Sequence, residues 1–351
     1  MQIRTLSMGA CAAFALVVVL VLSPATANAQ YGTLMGSADL DGDGSVESVY
    51  NNLSSINVVS GSTVTNYSLG FISWALLYGN FSSVVDLDGV PGAEIPVNTG
   101  GQLVVITHRT RDKSTYQIGS GSWAAAPGGI VDLDGQVGAE ITIVVPGGLK
   151  LINHSTRASR AVNVTGQFAV VSNAVKDLDG VAGAEIAMVS GGALLIYRYP
   201  SGSLNSTFIS SGSWSVVTTG SNAVVDMDGE PGAELLLALT SQMQTYHART
   251  SSLRNYPIGT QYAVLSDGVR DLDGQPGAEV AVATNNSTLL MLHPRGASVV
   301  TLGGSIHFGT YWNLTSFGNY DGVAGDEIRI YSQSLGRNYE VCPRTRSIRS
   351  L

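Results

Sequence analysis

The chain has 351 residues, a net charge of −8, 42 glycines and only 13% charged residues. An acidic chain poor in lysine excludes phosphate-backbone recognition, because nucleic-acid binding needs a basic surface. Low charge with abundant Gly, Ser, Thr and Val excludes disorder and a helical bundle, and points to β-structure with many tight turns.

The first 29 residues read as a secretory signal. Arg4 supplies the positive end, an apolar run follows from about Ala10 to Leu22, and Ala27-Asn28-Ala29 offers a small-x-small cleavage site. The run is too short to span a bilayer comfortably, and no later stretch is long and apolar enough to cross one. Export to the periplasm, cell surface or medium is therefore expected, with residues 30–351 as the folded domain. Cys11 lies before or inside the apolar run, so Cys342 is the one cysteine expected in the mature chain. It is either a buried thiol or an intermolecular link.

One unit then recurs to the C-terminus. DLDGDGSVE starts at Asp39, DLDGVPGAE at Asp86, DLDGQVGAE at Asp132 and DLDGVAGAE at Asp177. DMDGEPGAE starts at Asp226, DLDGQPGAE at Asp271 and a degraded NYDGVAGDE at Asn319. Successive starts are about 45 to 49 residues apart, a period of propeller blades and some helical arrays. The text between motifs decides for blades. A β-like run such as Gly129–Val131 precedes each motif, and EITIVV (Glu140–Val145), EIAMV (Glu185–Val189) or EVAVA (Glu279–Ala283) follows it. After a Gly or polar turn come LKLIN (Leu149–Asn153) or LLML (Leu289–Leu292), then a fourth run such as Ala161–Val164. Four short strands per repeat predict an all-β, seven-bladed β-propeller with four-stranded antiparallel blades and a repeat of about 47 residues.

The pattern resembles the FG-GAP and VCBS repeats of integrin α-chain propellers and of many exported bacterial proteins. The shared residues are the aromatic that opens strand one (Trp123, Phe168, Trp214), the DxDG loop, and the Glu-Ile that starts strand two. The resemblance implies calcium in that loop, through Asp at positions 1, 3 and 5 and an acid at 9. Calcium wants six to eight hard oxygens, which a tight loop can turn around one ion. The complete set is in the first repeat: Asp39, Asp41, Asp43 and Glu47. Later loops lack the position-5 acid except Glu230, which leaves Asp226, Asp228, Glu230 and Glu234 as a weaker set. One calcium site is expected, and the other loops are expected to be structural turns.

Basic residues sit at the turns between strands three and four: His108 with Arg109 and Arg111, His154 with Arg157, Arg198, His247 with Arg249, His293 with Arg295, and Arg344 with Arg346. Folding each hairpin about its turn predicts the cross-strand pairs Glu94–His108, Glu140–His154 and Glu279–His293, which would partly neutralise the acidic loops. Blade one has neither His nor Arg at that place. Carboxylates repeated in every blade suit a scaffold better than an acid–base pair, so no catalytic residue is assigned. His307 falls outside the pattern and is expected to be structural.

Trp74, Trp123, Phe168, Trp214, Tyr262 and Phe308 recur near the start of strand one, opposite the acidic loops. Filling of the space between blades is the favoured role. Trp74, Trp123, Trp214 and Tyr262 are the candidates for stacking a ligand. The expectation is a monomeric, non-enzymatic binding module for a polysaccharide or other glycan, or for an extracellular protein, with no nucleic-acid partner. The fold also resembles that of some polysaccharide lyases, so a carbohydrate-active enzyme is the alternative. A structural surface or matrix protein is a third reading.

Overall fold

The computed structural model describes residues 31–70, 73–119, 121–217, 224–285 and 287–351. The expected signal segment and Asn286 lie outside them. The described chain is all-β apart from short helical turns. It forms seven antiparallel sheets, each a meander of four strands in sequence order, which are the blades of the β-propeller class. The third is representative: Ala124–Val131, Glu140–Val145, Gly148–Asn153 and Ala158–Asn163. In the fifth, strand one is broken into Trp214–Val216 and Val224–Val225, both paired with Glu234–Leu239.

The described residues fall into two compact units, residues 31–38 with 46–73, and residues 39–45 with 74–351. The first holds the first sheet, Thr33–Ala38, Glu47–Asn52, Ser55–Ser60 and Thr63–Ser68, with Val49, Ile56 and Val58 buried in it. The second holds the other six sheets and the loop Asp39–Ser45.

In the larger unit, consecutive sheets pack face to face. Strand two of the fifth sheet shows how. Its ELLLAL sequence has no alternation, because both faces are covered: Leu235 and Leu237 pack with Ala187, Leu194 and Ile196 of the fourth sheet, while Leu236 packs with Val280 and Val282 of the sixth. Equivalent clusters join the second sheet to the third, the third to the fourth and the sixth to the seventh. Each fully buried Leu or Ile contributes roughly 1.5–3 kcal/mol, so these interfaces carry most of the stability. Strand four is mostly exposed, as in Ala158–Asn163, where Val162 is the one buried residue.

In the third, fourth, sixth and seventh sheets strand one is longer and less regular than the sequence predicts. It meets strand two in two stretches separated by a register shift, as between Val170 and Val175. Cys342 ends strand three of the last sheet as a free, half-buried thiol. No helix among the described residues is long and apolar enough to cross a membrane.

Candidate functional site

Each acidic loop joins strand one to strand two, and its hydrogen bonds repeat. Asp86 Oδ1 accepts from Gly89 N at 2.7 Å, Asp88 Oδ1 from Val90 N at 3.0 Å, and Glu94 Oε2 from Leu87 N at 2.8 Å. The same three bonds recur in the loops of Asp132–Glu140, Asp177–Glu185, Asp226–Glu234 and Asp271–Glu279. Asp at positions 1 and 3 folds the loop as Asx residues do, and the final Glu ties the loop back to its second residue.

The two glycines of the motif serve the neighbouring loop. Gly89 has φ +76°, and a Cβ there would lie 2.4 Å from the carbonyl oxygen of Val137 in the next loop. Gly138 has φ +108° and would place a Cβ 2.9 Å from the Gly89 nitrogen. Ala139 N donates to Asp86 O at 3.1 Å across the same joint, and the equivalent bond links Ala184 to Asp132 at 2.8 Å and Ala93 to Asp39 at 2.9 Å. Glycine at position 7 is thus the clasp between successive loops, a role that its repetition in GAE signalled and that a calcium-loop comparison hides.

A side chain from the end of strand three or the turn after it reaches the acid at position 3 in six loops. Arg109 meets Asp88 at 3.1 Å, Arg198 meets Asp179 at 2.9 Å, His293 meets Asp273 at 2.9 Å and Arg344 meets Asp321 at 2.7 Å. Asn153 bridges Asp134 at 3.0 Å and Glu140 at 2.8 Å. His247 Nδ1 stands 3.3 Å from Asp228 and 3.4 Å from Glu234, with Arg254 3.7 Å from Asp228.

Two of the predicted cross-strand pairs are displaced by one residue. Val145 pairs with Gly148, which leaves Pro146-Gly147 as a two-residue turn and brings Asn153, not His154, to Glu140. His154 instead bonds Thr107 at 3.2 Å and Tyr116 at 2.7 Å in the second sheet. Ile95 pairs with Ile106, so the residue facing Glu94 is Thr107 rather than His108, which is buried beyond it. In the sixth sheet Val280 pairs with Leu292, and His293 Nε2 lies 3.8 Å from Glu279.

Burial pushes the carboxyls of Glu94, Glu140, Glu185 and Glu279 up to about 7, against the lowering effect of their backbone hydrogen bonds. Glu94 Oε1 is buried without a hydrogen-bond partner among the described residues. Burial also brings His154 down to about 4.

The first loop differs. Asp39, Asp41 and Asp43 each offer an oxygen within 4.8 Å of the others, and no cationic side chain among the described residues forms an ion pair with them. Asp39 accepts from Gly42 and Gly44, while Asp41 and Asp43 each commit one oxygen, to Asp43 N and Ser45 N. An all-carboxylate set with oxygens to spare fits a hard divalent cation. Glu47, described with the first sheet, is fully buried and accepts from Ser60 at 3.3 Å. The weaker set fits less well: Asp228 and Glu234 face His247, and Glu230 is exposed and 3.7 Å from Arg249.

At the opposite end of the blades, the strand-one aromatics clamp neighbouring sheets. Trp123 Nε1 donates to Gly100 O, and Trp312 Nε1 donates to Ser287 O at 3.0 Å. The Tyr262 hydroxyl lies 2.8 Å from Leu239 O and 2.7 Å from Gln242 O. Trp74, Trp123, Phe168, Trp214, Tyr262 and Trp312 are all half-buried, so part of each ring stays open to solvent. Phe308 does not belong to this row. It is fully buried in the short helix Ser305–Phe308, and Trp312 opens strand one of the last sheet instead. His307, on the same helix, is exposed rather than packed.

Clefts lie along four consecutive seams of this end. One runs from Trp123 and Val144–Gly147 to Phe168, with a volume of 540 Å³. A second runs from Val170 and Val189 to Trp214, at 310 Å³. A third runs from Trp214 and Leu239 to Tyr262, at 550 Å³, and a fourth from Ala283 and Ser287 to Trp312, at 310 Å³.

No protein-family model and no curated protein matches the sequence. Solved structures similar in fold include BBS1N in complex with ARL6DN, at 14% identity, 90% of this chain and 93% of that one, and TM-score 0.33. AztD from Citrobacter koseri is similar at 7% identity over 90% and 85% of the two chains, with TM-score 0.34. The extracellular domain of BT4673 from B. thetaiotaomicron is similar at 11% identity over 85% of this chain and 37% of that one, with TM-score 0.33. At such scores the likeness adds no detail. The chain's own seven meandering sheets define it as a β-propeller protein.

Proposed function

We propose that the protein is an exported propeller of the FG-GAP/VCBS kind that works by binding, taking a glycan or an extracellular protein at the end of the blades opposite the acidic loops. The observation that carries this reading is the row of half-exposed aromatic rings opening onto clefts, of which Trp123, Tyr262 and Trp312 are held by hydrogen bonds to the neighbouring sheet. A ring fixed before binding loses little conformational freedom when a ligand stacks on it. The signal-like sequence at residues 1–29 supports export.

A calcium ion at Asp39, Asp41 and Asp43 is part of the proposal. The ion would neutralise three carboxylates that lack the basic partners of the other loops, and so would stiffen the first loop. Its role is structural, since ligand binding is placed at the other end.

The test is a glycan array probed with the purified protein in calcium and in chelator. Retention on a defined sugar in both conditions is the expected result. A blank array in both conditions removes the glycan reading and leaves a protein partner.

A further inference from the structure

The four seam clefts share a composition that the repeat alone does not require. Among the described residues lining them, not one is Asp, Glu, Lys, Arg or His. The carboxylates of the repeated motif and the basic side chains that pair with them lie instead at the acidic loops and the turns after strand three. What lines the clefts is an aromatic ring with hydroxyls and amides around it: Phe168 with Ser122 and Gln167, Trp214 with Ser172, Tyr262 with Thr240 and Gln261, Trp312 with Asn313 and Gln333. An aromatic face beside neutral hydrogen-bonding groups matches a pyranose ring, whose C–H face stacks and whose hydroxyls exchange hydrogen bonds. A carboxylated or sulfated sugar would find no cation among the described lining residues to pair with its anion, so its charge would add nothing to the stacking and hydrogen bonds that a neutral sugar makes as well.

The clefts are also ordered. They occupy four consecutive seams, from the third and fourth sheets through to the sixth and seventh. In each, the end of strand two of one sheet forms the floor and the opening aromatic of the next sheet forms the wall. Trp214 lines two of them. A polymer lying across successive blade edges would meet the same chemistry again at each step, and linked sites raise affinity without any new kind of contact.

Resting on the binding function proposed above, we infer that the ligand is an uncharged polysaccharide, held by a row of repeated subsites at these four seams. Affinity then rises with chain length, does not depend on salt, and depends on the Trp214 ring more than on any residue of the acidic loops.

The test is a tryptophan-fluorescence and calorimetric titration of the purified protein. The probes are neutral gluco- and manno-oligosaccharides of two to six units, with oligogalacturonate and alginate hexamers for comparison. The expected result is a fluorescence change with at least one neutral hexamer, at least tenfold tighter binding for the hexamer than for its dimer, and little change between 50 and 500 mM salt. Trp214→Ala should weaken hexamer binding at least tenfold. Trp214→Phe, which keeps an aromatic in the packing, should weaken it less. Arg157→Gln, at an exposed pair with Asp112, should leave it unchanged. Binding of the anionic hexamers alone overturns the inference and leaves the glycan-binding reading standing. Equal affinity for dimer and hexamer overturns the row of subsites. No response to either class overturns the glycan reading as well.

Discussion

Asp41 lies in a loop of the same design as six others, yet among the described residues no Arg, Asn or His side chain meets it, whereas Asp88, Asp134 and Asp179 meet Arg109, Asn153 and Arg198. One residue thus separates a loop neutralised from within from the one proposed to take an outside cation. Asp41→Asn keeps the Oδ1 that accepts from Asp43 N and removes the charge. Calorimetry should find one calcium site in the wild type, and in the variant about tenfold weaker binding or none, as loss of a charged ligand implies. Six or seven equal sites in the wild type would contradict the assignment. Single residues also mark where the sequence could not be read. The step from His154 to Asn153 opposite Glu140 depends on whether the hairpin turn holds two residues or three, and Pro146-Gly147 permits either in the sequence alone.

At the scale of the blade, the loop and the strand that follows it are tied through a buried acid. The carboxyls of Glu94, Glu140, Glu185 and Glu279 are raised to about 7 in the fold, against an ordinary value near 4.5. The folded state therefore holds protons that the unfolded chain has released, so the stabilisation from these groups is present in full below pH 4.5 and is lost as pH rises through 7. His154, lowered to about 4 by burial, acts in the opposite sense, but only below its ordinary value of 6.5. The window from pH 6.5 to 8 belongs to the glutamates. In chelator, the melting temperature should fall across that window, and Glu185→Gln should make the slope shallower. A melting temperature that rises from pH 6.5 to 8 would contradict this account of the loops.

For the molecule as a whole, the repeat was the most legible feature. Seven near-copies of one motif gave the blade count, and the apolar runs around them gave strand two almost to the residue: EITIVV is the observed Glu140–Val145. Strand one was harder to read, because its register shift breaks the pairing in places that composition does not mark. The clasp between loops was hidden for a different reason. Its partners, Gly89 and Gly138, lie in different repeats, and only the packing of one blade on the next brings them together. The seam clefts are likewise assembled from two repeats each. Their aromatics were visible in the sequence, but the absence of charge around them became apparent only when the end of strand two joined the start of the next strand one. Phe308 took the place of Trp312 in the expected row because a short helix precedes the last blade.

The central claim divides the protein into an acidic end that holds blades together and a seam end that binds. The most direct test is to probe one glycan array with the wild type and with Trp214→Ala in parallel, after confirming by circular dichroism that both are folded. The account predicts that the sugars retained by the wild type lose most of their signal with the variant. Equal retention by both proteins would contradict it and place binding away from the seams.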